Sequence, residues 1–270
     1  MHLGISHRIY FVAVGVFALW VGLWGYLVPS EIARAIPWMV PPLHARFLGA
    51  MYLSGMVLMF GSRLAQQRAE VRIGLIMASV WTGMLLLVSL LHLAEFNFAR
   101  PPVWFWFFAY IVFPIVGAWL AWRDRDVRFT VATTPLASWI RVFALVLGIV
   151  SGTLALLLFL APASMASQWP WKIPVLLAQL YSGPFLSFGI GSILISWCGN
   201  WQQARWPIWS TATFTALVLL ASILHRGLFA VGSTSAIVWF GGFTLALLGL
   251  AAAAGQMQLI DRRQIGAVAT

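Results

Sequence analysis

Few side chains in this chain can do chemistry: five histidines, six carboxylates and one cysteine in 270 residues. His92 and His225 fall at the ends of two apolar runs, in matching places of the chain. An imidazole there could hydrogen-bond a neighbouring helix, titrate as part of a substrate or proton site, or pair with its counterpart as axial ligands of a haem b. His44 and Arg46 open another apolar run, Glu31 and Arg100 sit in short polar connections, and Glu95 lies three residues beyond His92. Three residues apart on a continuing helix means one face. Glu31, His44, Arg46, His92, Glu95, Arg100 and His225 are therefore the candidate lining of an outward-opening polar pocket. The competing reading makes them ordinary interfacial ion pairs, each worth little. Cys198 has no second thiol, so it forms neither an internal disulfide nor a redox or metal pair, and reads as packing.

The familiar catalytic signatures are missing. The sequence has no Gly-rich phosphate loop, no Cys-x-x-Cys, no His-Glu-x-x-His and no nucleophile elbow. The first, fourth, fifth and eighth apolar runs carry no acidic residue in their middle, which disfavours an ion-coupled transporter with midplane carboxylates. The residues point to binding rather than to catalysis, without a resident cofactor.

What must position these residues is a set of membrane spans. The chain is 62% hydrophobic and 8% charged, with a mean hydropathy of +0.93. Apolar runs of about twenty residues recur at 9–28, 43–61, 73–94, 103–122, 142–161, 175–197, 207–225 and 235–255. In hydrocarbon the backbone must satisfy its own hydrogen bonds, so each run reads as a helix. The first looks like a span rather than a cleaved signal peptide, because no small-residue cleavage site follows it. Eight spans place both termini on one side. Of the 16 Lys and Arg residues, only Arg34, Arg46, Arg100, Lys172 and Arg226 fall on the other side. The positive-inside rule then puts both termini in the cytoplasm. The net charge of +10 is spread over short loops, which fits anionic lipid headgroups as partners and not nucleic acid.

The sequence also matches itself at an offset of 133 positions, the distance from Arg8 to Arg141. At that offset Pro37, Trp38 and Pro41 meet Pro170, Trp171 and Pro174. Ser89, Leu91 and His92 meet Ser222, Leu224 and His225, and Trp106 with Phe107 meets Trp239 with Phe240. Fixed-period self-similarity signals tandem structural units. The expected fold is an all-α membrane bundle of two four-helix units, residues 1–123 and 141–256, joined by a linker at 124–140 and followed by a polar tail at 257–270. With four spans each, the units would face the same way across the bilayer. The polar candidates concentrate in the first unit: Glu31, His44, Arg46, Glu95 and Arg100 correspond to Ser164, Leu177, Gln179, Leu228 and Ser233.

The connections Pro29–Trp38 and Pro162–Pro174 read as interfacial segments, either anchoring through tryptophan or forming lids over an outward cavity, with Ser30 as a candidate helix cap. Gly148, Gly152, Gly183, Gly189 and Gly191 mark close helix approach, and Trp104–Phe108 marks a lipid-facing belt. The pattern of Pro37, Trp38, Pro41, Pro42, Leu43, Ala45 and Arg46 is similar to one found in multi-pass bacterial membrane proteins without an assigned function; the second half departs from it at Gln179. The resemblance implies a bacterial inner-membrane setting and supplies no activity. The leading expectation is a protein that binds or passes a small molecule or lipid through the outward pocket. The alternatives are an accessory subunit packed against another membrane protein or a second copy, and a bis-histidine haem protein using His92 and His225.

Overall fold

The computed structural model describes residues 2–130 and 132–268, with side chains through residue 260. Arg262 and Arg263, counted above among the cytoplasmic charges, have side chains outside that set. The chain is an all-α membrane protein. Eight helices are long and apolar enough to span a bilayer, and no β-strand occurs among the described residues. They are α1 (Ile5–Leu27), α2 (Pro42–Arg63), α3 (Arg68–Leu91), α4 (Pro101–Arg123), α5 (Ser138–Leu160), α7 (Val175–Cys198), α8 (Trp201–Leu224) and α9 (Thr234–Val268). A short helix α6 (Pro162–Gln168) and 3-10 turns at Pro29–Arg34, Leu93–Glu95 and Arg226–Leu228 fill the connections.

The ends follow local chemistry. Pro42, Pro101 and Pro162 open their helices, where the missing N–H has no helical partner to lose. Gln67 and Glu70 form a capping box at the start of α3, and Asn200 Oδ1 accepts from Gln203 N at 3.0 Å at the start of α8. Gly199, at φ 66°, ends α7 in the left-handed region open to glycine. Ser30 makes no cap; the 3-10 turn starts at Pro29 with Val28 before it. Nor does the eighth helix stop near Gly255: no proline interrupts the stretch after it, and α9 continues to Val268.

The inner four helices are α2, α3, α7 and α8, with α2 against α8 and α3 against α7. Outside them α1 packs on α2, α5 on α7, α4 on α3 and α9 on α8. Helix starts recur at the sequence offset of 133: Ile5 with Ser138, Pro42 with Val175, Arg68 with Trp201, Pro101 with Thr234. Glycines set the tightest contacts. A Cβ on Gly49 would lie 2.5 Å from Tyr26 N, and one on Gly189 would lie 2.8 Å from Gly152 N. Close backbone approach of this kind replaces the hydrophobic drive that helices lack among lipid tails.

One end of the bundle is arginine-rich. It gathers the start of α1, the α2–α3 and α7–α8 turns and the α4–α5 linker. Thr130 N donates to Gln67 Oε1 at 2.9 Å, and Leu136 N donates to Gly199 O at 2.8 Å. The opposite end is proline-rich and carries the candidate site residues.

Candidate functional site

At the proline-rich end the sequence candidates are placed individually and brace the bundle. Arg46 Nη1 donates to His225 Nε2 at 2.5 Å, and His92 Nε2 lies 2.5 Å from Gln179 Oε1, to which it donates. The Gln179 amide in turn donates to Phe159 O at 3.0 Å. The Arg46–His225 and His92–Gln179 bonds each join the first four spans to the last four, while the Gln179–Phe159 bond lies within the last four. His225 just follows α8; burial, then the neighbouring Arg46 guanidinium, lower its pKa below the usual histidine value. His44 Nε2 reaches Lys172 O at 3.1 Å and its Nδ1 lies 2.9 Å from Tyr181 Oη. A carbonyl only accepts, so Nε2 carries the proton and Nδ1 accepts from the tyrosine hydroxyl.

Arg100 donates to Pro37 O at 2.5 Å and Ala33 O at 2.9 Å, fastening the first 3-10 turn to the start of α4. Glu31 pairs at 2.6 Å with Arg34, both open to solvent. Helix α3 stops at Leu91, so His92 and Glu95 share no helix face; Glu95 ends a 3-10 turn and is exposed. The seven residues line none of the cavities described below. The Nε2 atoms of His92 and His225 are each engaged by a side chain from the other half, and no cluster of three His, Cys, Asp or Glu suited to a metal occurs among the described residues.

The connection tryptophans turn inward. Trp38 meets Phe96 and Trp106 at ring distances of 4.9 and 5.1 Å; Trp171 meets Phe229 and Trp239 at 5.4 and 4.9 Å. Trp169 and Trp171 are buried, so they roof the second half and offer little ring surface outward. Trp104, Phe105 and Phe108 do face outward, as a lipid-facing belt requires.

Beneath that second roof lies the one sizeable cavity described, about 290 Å³. Leu147, Val150, Ser151 and Leu154 of α5 form one side, and Ser235, Val238, Trp239, Gly242, Phe243 and Ala246 of α9 the other. The back comes from Phe185 and Phe188 of α7 and Thr211, Phe214 and Thr215 of α8; Met165, Gln168, Trp169 and Pro170 close the top. Three of its hydroxyls are engaged with helix backbone: Ser151 donates to Phe185 O at 2.8 Å, Thr211 to Pro207 O at 2.9 Å and Thr215 to Ala212 O at 2.9 Å; the fourth, Ser235, pairs with the Ser233 hydroxyl at 3.3 Å. A guest meets a largely apolar wall with a few polar groups, the usual make-up of a small-molecule pocket.

Sequence reasoning missed this cavity because none of its residues is reactive. The signal was side-chain size at matched positions, such as Phe113 against Ala246. It also missed Tyr181 and Gln179, whose roles come from helices far away in sequence. At the arginine-rich end it missed a buried network. His7 Nε2 donates to Asp124 Oδ2 at 2.6 Å while Arg123 Nη2 donates to His7 Nδ1 at 3.3 Å. Arg68 and Arg123 lie 3.6 and 3.5 Å from Asp124 Oδ1. Glu70 pairs with Arg205 at 2.7 Å.

Comparison with protein-family models, with curated proteins and with solved structures gives no match, so neither a family nor an activity comes from relatives.

Proposed function

We propose that this chain is a multi-pass protein of the bacterial inner membrane, with both termini cytoplasmic, that binds a small apolar or amphiphilic molecule in the outer half of the bilayer. In this reading the two sets of four spans are like-oriented units, the polar rim residues hold them together, and binding takes place in the second unit. No catalytic step is assigned. The observation that carries the reading is the cavity of about 290 Å³ between α5 and α9, set between mid-span positions such as Ala246 and Thr211 and the proline-rich end.

Native mass spectrometry of the protein released from membranes in mild detergent tests it. A low-mass non-covalent adduct on the wild type, lost in Ala246→Phe, is the expected result. A bare wild-type protein contradicts the reading, and a bound second protein in place of a small adduct favours an accessory subunit.

A further inference from the structure

The matched region of the first half is closed. Phe17 of α1 stacks on Phe105 of α4 at 6.4 Å with ring planes 13° apart, and meets Phe113 and Tyr110 edge-on at 5.7 and 6.1 Å. The space left beside Phe17, Phe113 and Tyr110 is about 30 Å³, enough for water and too small for a larger guest. One offset of 133 further on, Phe17, Phe105 and Phe113 become Val150, Val238 and Ala246, all three of which line the large cavity. Two valines and an alanine stand where the first half has two rings, Phe17 and Phe113, around its small space and a third, the largely exposed Phe105, stacked on Phe17.

The resulting space opens sideways. Val150 and Val238 are 61% and 67% exposed and also line the cavity, so the space reaches the outer surface of the bundle between α5 and α9. Towards the arginine-rich end the two helices meet again: a Cβ on Gly249 would strike the Phe143 ring, and Trp139 Nε1 donates to Gln256 Oε1 at 2.8 Å. The gap is thus a slot closed at the arginine-rich end and running from mid-span positions to the α6 roof. Above it, α6 presents exposed Ser164, Ser167 and Gln168, followed by the exposed cation Lys172.

Resting on the binding role proposed above, we infer that the slot seats one acyl chain of a bilayer phospholipid, which enters laterally between α5 and α9 and leaves its headgroup beside α6 and Lys172. The phase outside the slot is acyl chain. An unfilled apolar space forfeits dispersion contacts on every wall, and the nearest material able to restore them is a lipid tail. A polar solute would find few partners, because the Ser151, Thr211 and Thr215 hydroxyls already give their protons to backbone and the rest of the wall is almost entirely apolar. The volume is well above the ~150 Å³ that suffices for benzene in an engineered apolar cavity. Lys172, exposed on the connection that follows α6, supplies a positive charge at the same end of the bundle for a phosphate.

The test is photolabelling in nanodiscs of phosphatidylethanolamine and phosphatidylglycerol that contain a small fraction of phosphatidylcholine carrying an acyl-chain diazirine. Annular lipid reaches Val150 and Val238 in any case, so the informative residues are Phe185, Phe214 and Thr215, buried at the back of the slot. Labelling of these three after irradiation is expected, with loss in Ala246→Phe. In Phe17→Val/Phe113→Ala, new labelling is expected at Tyr52 and Trp81, their counterparts around the closed space. Wild-type labelling confined to exposed residues overturns the inference. If a low-mass adduct still appears by native mass spectrometry in that case, the binding role stands and only the acyl chain falls; if neither appears, both fall.

Discussion

Arg46 and His225 are joined at 2.5 Å, and the residues one offset of 133 from them, Gln179 and His92, are joined at the same distance with the donor now the histidine. The two bonds tie α2 to the end of α8 and α7 to the end of α3, so each crosses between the first four spans and the last four. Neither relies on a carboxylate. Coupling across the Arg46–His225 pair follows: a double-mutant cycle of Arg46→Ala and His225→Ala should give about 0.6 kcal/mol in denaturant unfolding, and less than about 1.7, the range for interhelical polar pairs in membranes. Additive single effects would mean that the bond does not form.

The same pair predicts a pH dependence. Burial and the Arg46 guanidinium lower the pKa of His225 in the folded protein. The unfolded chain therefore takes up a proton at that site more readily than the folded one. The stability contributed is complete above the unfolded value of about 6.5 and is lost as pH falls through it towards the lowered folded value. Melting curves recorded from pH 8 to 5 should show wild type losing more stability on acidification than His225→Gln. Parallel profiles, or a wild type that gains stability, would go against it.

At the other end Asp124 is buried between Arg68 and Arg123 and accepts from His7. Removing the carboxylate leaves the buried His7 N–H without its acceptor and takes the counter-charge from two partly exposed guanidinium groups. Asp124→Ala should cost about 3 kcal/mol, in the range for breaking a buried charge pair. Asp126→Ala, two residues on and exposed, should stay within about 0.5 kcal/mol. Equal unfolding midpoints for the two variants would contradict the network.

Much of this architecture was legible in the sequence, and the reason is the solvent. Hydrocarbon admits few backbone solutions, so apolar runs such as 142–161 gave helices close to where their composition placed them. Helix ends were less legible, because they depend on one or two residues: the stop at Leu91 separates His92 from Glu95, and nothing stops α9 after Gly255. The polar candidates were recognisable by type, but their partners were not. His44 bonds Tyr181 and Lys172 O from across the bundle, and long-range contacts leave no local pattern. The cavity was hidden for another reason: it is a deficit of volume at Val150, Val238 and Ala246, visible only once those positions are set beside Phe17, Phe105 and Phe113.

The glycine contacts between α5 and α7 make a prediction that motif reading alone misses. Gly148 and Gly152 form a G-x-x-x-G, yet a Cβ on Gly152 would meet nothing within 4 Å, whereas one on Gly189 would lie 2.8 Å from Gly152 N. Backbone cannot move aside as a side chain can. Gly189→Ala should cost about 1–3 kcal/mol, while Gly152→Ala should be neutral or slightly stabilising by removing backbone freedom from the unfolded chain. Thermal midpoints of the two variants decide it; a larger loss in Gly152→Ala would be the wrong order.

The matched cavities and the exchanged pairs acquire their meaning only if both sets of four spans cross the membrane in the same direction. In a Cys198→Ala background, single cysteines at Ser30 and its match Ala163, and at Gln66 and Asp126 on the arginine-rich end, report this with a membrane-impermeant maleimide. Ser30→Cys and Ala163→Cys should both label in spheroplasts, and Gln66→Cys and Asp126→Cys only after the membrane is opened. Labelling of Ser30→Cys and Ala163→Cys from opposite sides would contradict it.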